Sequence, residues 1–232
     1  MNVVITGASR GIGKAVAEIF AFNGHNLWLT SLSETRLYKT MDELGTKYPG
    51  ITIKAKPFDI SKKEKAKEFG NWCLKTISSV DVLVNNAGSF AGDSVHSEEE
   101  GALEEMIETN LYSAYHLTRV LLPMMIKKKN GHIFNMCSIA GLKAYLNGGS
   151  YSISKFALHG FSVNLREELK PYNIKVTTVF PGAAYTDSWA GHVEKARIME
   201  TGDIAKMIYA AFQLSPQACV EDIILRPQLG DL

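Results

Sequence analysis

The sequence predicts an α/β fold, a mostly parallel sheet between two layers of helices. Three observations predict it. Short apolar runs of β type alternate with segments of helical period along all 232 residues, the pattern of a parallel sheet joined by crossover helices. The stretch TGASRGIG, residues 6–13, stands between the first such run and the first helical segment, where doubly wound sheets take their ligands. No repeat, low-complexity tract or Pro/Gly/Ser-rich linker breaks the alternation, so residues 1–232 read as one domain.

The elements follow in order. Candidate strands are Val3–Thr6, Asn26–Ser31, Thr52–Lys56, Val82–Asn85, His132–Cys137, Lys175–Phe180 and Asp222–Leu225. The first helix is marked by Ile12, Ala15, Val16, Ile19 and Phe20 at i, i+3, i+4, i+7 and i+8. Gly24 follows where a helix-ending glycine belongs. Lys127-Lys128-Lys129 before Asn130-Gly131 reads as a helix C-terminus, where cations complement the dipole, and then a turn. Two segments are apolar around their whole circumference: 103–126, with Met106, Ile107, Leu111, Tyr115, Leu117, Leu121 and Met125, and 152–169, with Phe156, Leu158, Phe161, Val163 and Leu165. A helix apolar on several sides is buried on several sides, which predicts a homodimer or homotetramer joined through these two helices.

Composition narrows the function. Hydrophobic residues make up 46% of the chain, enough for a packed core. The 25 basic and 24 acidic residues nearly cancel, which gives no field for steering onto nucleic acid or an anionic membrane. Cys73, Cys137 and Cys219 are odd in number and far apart, and the six histidines lack ligand spacing, so neither a disulfide framework nor a metal site is expected. No apolar stretch reaches membrane-spanning length, and the first strand begins too early to leave room for a signal peptide. The expectation is a cytoplasmic protein.

The glycine-rich stretch reads as a dinucleotide site. Gly7, Gly11 and Gly13 let the backbone turn tightly and approach a pyrophosphate, with Ser9, Arg10 and Ile12 between them. The helix N-terminus behind them offers N–H groups and a positive dipole. The spacing is G-x3-G-x-G, not G-x-G-x-x-G; a plain glycine turn is the competing reading, weakened by the position of the motif. At the second strand tip, Thr30-Ser31-Leu32-Ser33, no acid is placed to hold ribose hydroxyls, and Glu34 comes late. Arg10 can instead face a 2′-phosphate, with Ser31 or Ser33 donating hydroxyls. The expected cofactor is therefore NADP(H) over NAD(H). Asp59, at the end of the third strand, is poised for the adenine amino group, with Ile60 beside the ring. Asn86, Ala87 and Gly88 close the fourth strand with the small residues that a close cofactor approach needs.

A phenol and an ammonium, Tyr151 and Lys155, lie one helical turn apart in SYSISK. Together with TGASRGIG, NNAG, Asn110, Ser138 and Pro181-Gly182, in that order along the chain, this stretch resembles the short-chain dehydrogenase/reductase family over nearly the whole sequence. The resemblance implies a Rossmann-type, doubly wound sandwich with a seven-stranded parallel sheet. It implies an Asn–Ser–Tyr–Lys tetrad at Asn110, Ser138, Tyr151 and Lys155, and a contact of Thr186 with the nicotinamide carboxamide. Carbonyl reduction needs hydride on carbon and a proton on oxygen. A free tyrosine, with a pKa of about 10, is a weak donor, and Lys155 is expected to lower it toward neutrality while bonding the nicotinamide ribose. Ser138 would hold the substrate oxygen, and Asn110 would shape its helix and hold a proton-relaying water.

The substrate side is expected from Ser89-Phe90, Gly141 to Tyr145, and a lid about 183–202 carrying Tyr185, Trp189 and His192. Many family members end in a glycine pair; this chain ends VEDIILRPQLGDL. With HIFNMCSIAG and PGAAYTDSW, that tail resembles the bacterial sepiapterin-reductase-like group, which reduces pterin side-chain carbonyls with NADPH. Asp187 and Asp231 read as solvated. Two other readings stay open. A 3-oxoacyl thioester reductase would need a basic patch, for which only Lys143 and Arg197 offer themselves. A non-catalytic NADP(H) sensor would more naturally have lost Tyr151 or Lys155.

Overall fold

The computed structural model describes residues 1–186, 191 and 193–232. Along the chain run β1 (Asn2–Thr6), α1 (Gly11–Phe22), β2 (Asn26–Thr30), α2 (Glu34–Lys47), β3 (Ile53–Ala55), α3 (Lys63–Thr76) and β4 (Val82–Asn85). There follow α4 (Ala102–Ile107), α5 (Ser113–Lys128), β5 (Gly131–Met136), α6 (Gly149–Leu169), β6 (Ile174–Pro181), α7 (Thr201–Phe212) and β7 (Asp222–Leu225). The strands form one seven-stranded sheet, all parallel, in the order β3-β2-β1-β4-β5-β6-β7. The chain runs outward from β1 to β3, then returns to pair β4 against β1. Open sheets of this kind bind ligands at such a reversal, outside the strands' carboxyl ends.

Strand periodicity sorts β1 between two cores. Val3 and Ile5 face one side with Val16, Phe20, Leu27, Leu37, Val84, Ile204 and Ile208, so that α1, α2 and α7 cover that face. Val4 points the other way, among Trp28, Phe69, Leu83, Leu117, Leu121, Ile133 and Leu165, beneath α3, α5 and α6. The end of α1 follows its glycine: Gly24, at φ +77°, donates to the Ala21 carbonyl while His25 donates to Phe20, a Schellman closure.

The observed strands differ from the expected ones by a residue or so at their ends. The edge strand β3 shrinks to three residues, because it pairs on one side only, with β2. Asp59 consequently lies four residues past the strand end, in a turn. The expected helix over 103–126 is two helices, α4 and α5, joined by a π-helical turn at Glu108–Tyr112. The apolar circumferences of this segment and of α6 are largely used at home: Met106, Leu117, Leu121, Met125, Leu158 and Leu165 are buried within the chain. Leu103, Tyr112, Ile153, Phe156 and Val163 remain exposed. The lysine run does end α5, and Lys128 turns inward to pair with the buried Asp81. Among the described residues, no helix is long and apolar enough to cross a membrane.

Candidate functional site

The glycine-rich stretch is shaped by close approach. Gly7 and Gly11 have φ of +64° and +54°, the left-handed region that suits glycine. A Cβ on Gly13 would collide with the Gly7 carbonyl and the Asn86 amide. Arg10 precedes the first turn of α1 in an extended conformation, and no side chain caps the turn, so its leading N–H groups point outward from a positive dipole. Ser9 and Ser31 meet, hydroxyl to hydroxyl, at 2.7 Å, and Thr40 anchors Ser9 by donating to its carbonyl at 3.1 Å. Ile12 is half-buried against the first core.

Residues 85–88 are stitched to this loop by a side chain that the sequence did not single out. The buried Thr6 hydroxyl accepts from the backbone N–H of both Asn86 and Ala87, each at 2.9 Å. Asn86 answers by donating its amide to the carbonyls of Thr6 (2.9 Å) and Gly7 (3.2 Å). Asn85 points into the interior, donating to Thr118 and Asn135. Asp59 accepts from the Ser61 hydroxyl at 2.6 Å, and the Ile60 side chain is buried in the second core.

Asn110, Ser138, Tyr151 and Lys155 converge across Gly88, where a Cβ would stand 2.9 Å from Asn110 Oδ1 and 3.4 Å from Lys155 Nζ. Asn110 sits in the π turn with its amide fully engaged. It accepts from Ser89 N (2.9 Å) and donates to Ser89 O (3.1 Å) and Ser154 Oγ (2.9 Å). Ser154 in turn donates to the Tyr151 carbonyl at 2.7 Å. Ser152 donates to Ala140 O at 2.7 Å, gripping the turn that begins at Ser138. Lys155 is buried, donates to Met136 O at 3.1 Å, and holds its ammonium 5.6 Å from the centre of the Tyr151 ring. Cys137 donates its thiol to the Lys155 carbonyl.

The electrostatics correct one expectation. Burial pushes the Tyr151 phenol up to about 12, and the hydrogen bond from Ser138 offsets only part of that. Burial lowers the Lys155 pKa as well. The expected lowering of Tyr151 is not what this pocket produces: desolvation penalises phenolate and ammonium alike.

On the substrate side, the Phe90 ring meets Tyr151 edge to face at 4.9 Å. Tyr145, half-exposed, has its phenol pKa raised by partial burial. Tyr185 and Thr186 line a cleft at the glycine-rich end with Gly11, Lys14, Ala15, Glu18 and Thr201. Trp189, His192 and Asp187 lie outside the described residues. Pro181 ends β6, and Gly182 donates to Leu225 O at 2.8 Å. Asp231 lies beside Gly182 on the exposed C-terminal segment, in a surface ion pair with Arg226. Arg197 donates to the carbonyls of Gly230 (3.0 Å) and Asp231 (3.2 Å), which ties it to the C-terminal segment. Among the described residues, no cluster of His, Cys, Asp and Glu is arranged to hold a metal.

The family model for short chain dehydrogenases matches residues 1–197. The chain belongs to that family and is an oxidoreductase. A sepiapterin reductase of Chlorobaculum tepidum is 32% identical over 240 residues, covering 99% of this chain and 97% of that protein. Among solved structures, an alcohol dehydrogenase from Thermococcus sibiricus complexed with 5-hydroxy-NADP superposes with a TM-score of 0.90 at 29% identity, covering 98% of this chain and 96% of that one. A metagenomic short-chain oxidoreductase in complex with NADP gives 0.86 at 30% identity, covering 98% and 97%.

Proposed function

We propose that this short-chain dehydrogenase reduces a small carbonyl compound with NADPH, with a pterin-type side-chain carbonyl as the leading substrate. The observation that carries the reading is the junction of Ser138, Tyr151 and Lys155 beside Gly88, at the carboxyl edge of the strands next to the glycine-rich loop. The loop fits a dinucleotide: Gly13 packs too closely on the Gly7 carbonyl and the Asn86 amide to carry a side chain, which keeps the turn tight. The start of α1, not capped by the Arg10 side chain, presents donors and positive potential to a pyrophosphate. Gly7, Ser9, Arg10, Gly11, Ile12 and Gly13 would hold the phosphates, with Arg10 and Ser31 at a 2′-phosphate. Asp59 and Ile60 would stand at the adenine end; Asn86, Ala87, Gly88, Pro181, Gly182 and Thr186 would flank the nicotinamide. When bound, the cofactor supplies the hydride.

The chain's own residues manage the proton. Tyr151 carries its proton at neutral pH and would donate it to a carbonyl oxygen that gains hydride on its carbon, although burial makes it a weaker acid than a free phenol. Ser138 bonds the same oxygen and stabilises charge as it develops. Lys155 stands close to the phenol and would bond the nicotinamide ribose, and Asn110 fixes the floor beneath it. Phe90 and Tyr145 would form the substrate wall. The resemblance to a sepiapterin reductase at 32% identity supports the pterin assignment. The exposed Tyr112, Ile153, Phe156 and Val163 support a homo-oligomer contact between copies of α5 and α6, and three unpaired cysteines suit the cytoplasm.

NADPH consumption by the purified protein with sepiapterin, an acetoacetyl thioester and a diketone tests the reading. Turnover of sepiapterin above the others is expected. Turnover of the thioester alone would replace the substrate class. Tyr151→Phe should keep NADPH affinity within about threefold while losing about a thousandfold or more in kcat; an active variant would refute the proton role.

A further inference from the structure

We propose that Glu98 is a positioning residue: its carboxylate fastens the loop after β4 to the first turn of α6 and so fixes Phe90 as one wall of the substrate cleft. This deepens, and rests on, the carbonyl-reductase reading.

The fastening is specific. One oxygen of Glu98 accepts from the Ser150 backbone N–H at 2.7 Å and the other from the Ser150 hydroxyl at 2.5 Å, across 52 residues of sequence. Both are charge-assisted bonds, the strong kind. They satisfy one of the donors that a helix start leaves open, at the end of α6 where negative charge is favourable. Gly148, ahead of this turn, offers no capping side chain, so the cap is imported from a distant loop. Ser150 immediately precedes Tyr151, and only 1% of its surface is exposed.

The chain makes room for this contact. Gly149 has φ +35°, and a Cβ there would collide with both Glu98 Oε1 and the Asp93 carbonyl. A second fastener lies alongside: Ser94 donates to the Asn147 side-chain carbonyl at 2.6 Å, with Asn147 itself at φ +60°. Gly92 lets the loop close in, since a Cβ there would press on Asn147 O and on the Phe90 ring. Phe90 itself is 63% exposed, yet its ring stands edge-on against Tyr151. An exposed ring without a core around it takes its position from the backbone that carries it. That backbone is held by Glu98 and Ser94.

The test uses Glu98→Ala and Glu98→Gln in the full-length protein. Hydrogen exchange without cofactor should show residues 89–98 and 145–152 opening faster in Glu98→Ala. KM for a bulky aromatic carbonyl should rise about tenfold or more, while a small diketone that does not reach Phe90 changes less than threefold. NADPH affinity should hold within about threefold. Glu98→Gln, whose amide oxygen can still accept from Ser150 N, should fall between wild type and Glu98→Ala. Unchanged exchange in both segments would overturn the proposal. So would a loss of kcat and NADPH affinity together with KM unmoved, which would mark Glu98 as general scaffolding. If the wild-type protein reduces no carbonyl, the function proposed above falls, and the exchange experiment alone decides the role of Glu98. Should Glu98→Ala not fold, Glu98→Gln gives the same two readings.

Discussion

His132 gives a sharp acid-stability prediction. It lies in β5, 3% exposed, stacked on Phe134 at 3.9 Å, with Nε2 2.7 Å from the Thr177 hydroxyl. Thr177 spends its one proton on the Val220 carbonyl, so Nε2 is the donor in this bond. Burial, assisted by Lys175, lowers its pKa from the ordinary 6.5 to about 3. Because the folded value lies below the unfolded one, the unfolded chain binds the extra proton across that window. Stability is therefore complete above about 6.5 and declines as pH falls toward 3. Between pH 7 and pH 5 the loss from this residue is about 2 kcal/mol, and over the whole window roughly 5 kcal/mol. Urea unfolding of wild type and His132→Gln at both pH values isolates it, since other titrating groups are common to the two proteins. Wild type should lose about 2 kcal/mol more than the variant between pH 7 and pH 5. Equal losses would mean that His132 is not held neutral, and the linkage argument would fail.

Thr6→Val removes the acceptor for two backbone N–H groups in the loop after β4. It should cost about 2–4 kcal/mol in urea unfolding and weaken NADPH binding; a change under about 0.5 kcal/mol would show that the loop finds other partners. Arg10→Ala should raise the Kd for NADPH about tenfold and leave NADH within about twofold, read by cofactor fluorescence. Parallel losses for both cofactors would place Arg10 away from the 2′-phosphate.

What the sequence disclosed depended on distance along the chain. Strands such as Val82–Asn85 and the helix through Ile12, Val16 and Phe20 were legible because burial writes its period locally. The gathering of Tyr151 and Lys155 was legible for the same reason, being one helical turn. The π turn was not: it depends on Asn110 bonding to Ser89, 21 residues away. Nor was Glu98, which sits among Glu99, Glu100, Glu104 and Glu105 with nothing local to distinguish it. The direction of the Tyr151 shift was missed because charge is visible in a sequence and desolvation is not. The three serines interleaved with Tyr151 and Lys155 were visible as small hydroxyls, but their partners, Glu98, Ala140 and Asn110, come from three separate stretches of chain.

The π turn at Glu108–Tyr112 also sets a limit on how this chain can vary. A π turn is an α-helix holding one residue more than it needs, and each residue rotates a helix by about 100°. Deleting any one position between 108 and 112 would let α4 and α5 fuse into a regular, intrinsically better helix. The same deletion would rotate α4 against its neighbours and carry the Asn110 amide away from Ser89 and Ser154. Among length changes here, the one that most favours the helix is the one most damaging to the site, so drift toward a smoother helix is closed to any descendant that keeps the activity.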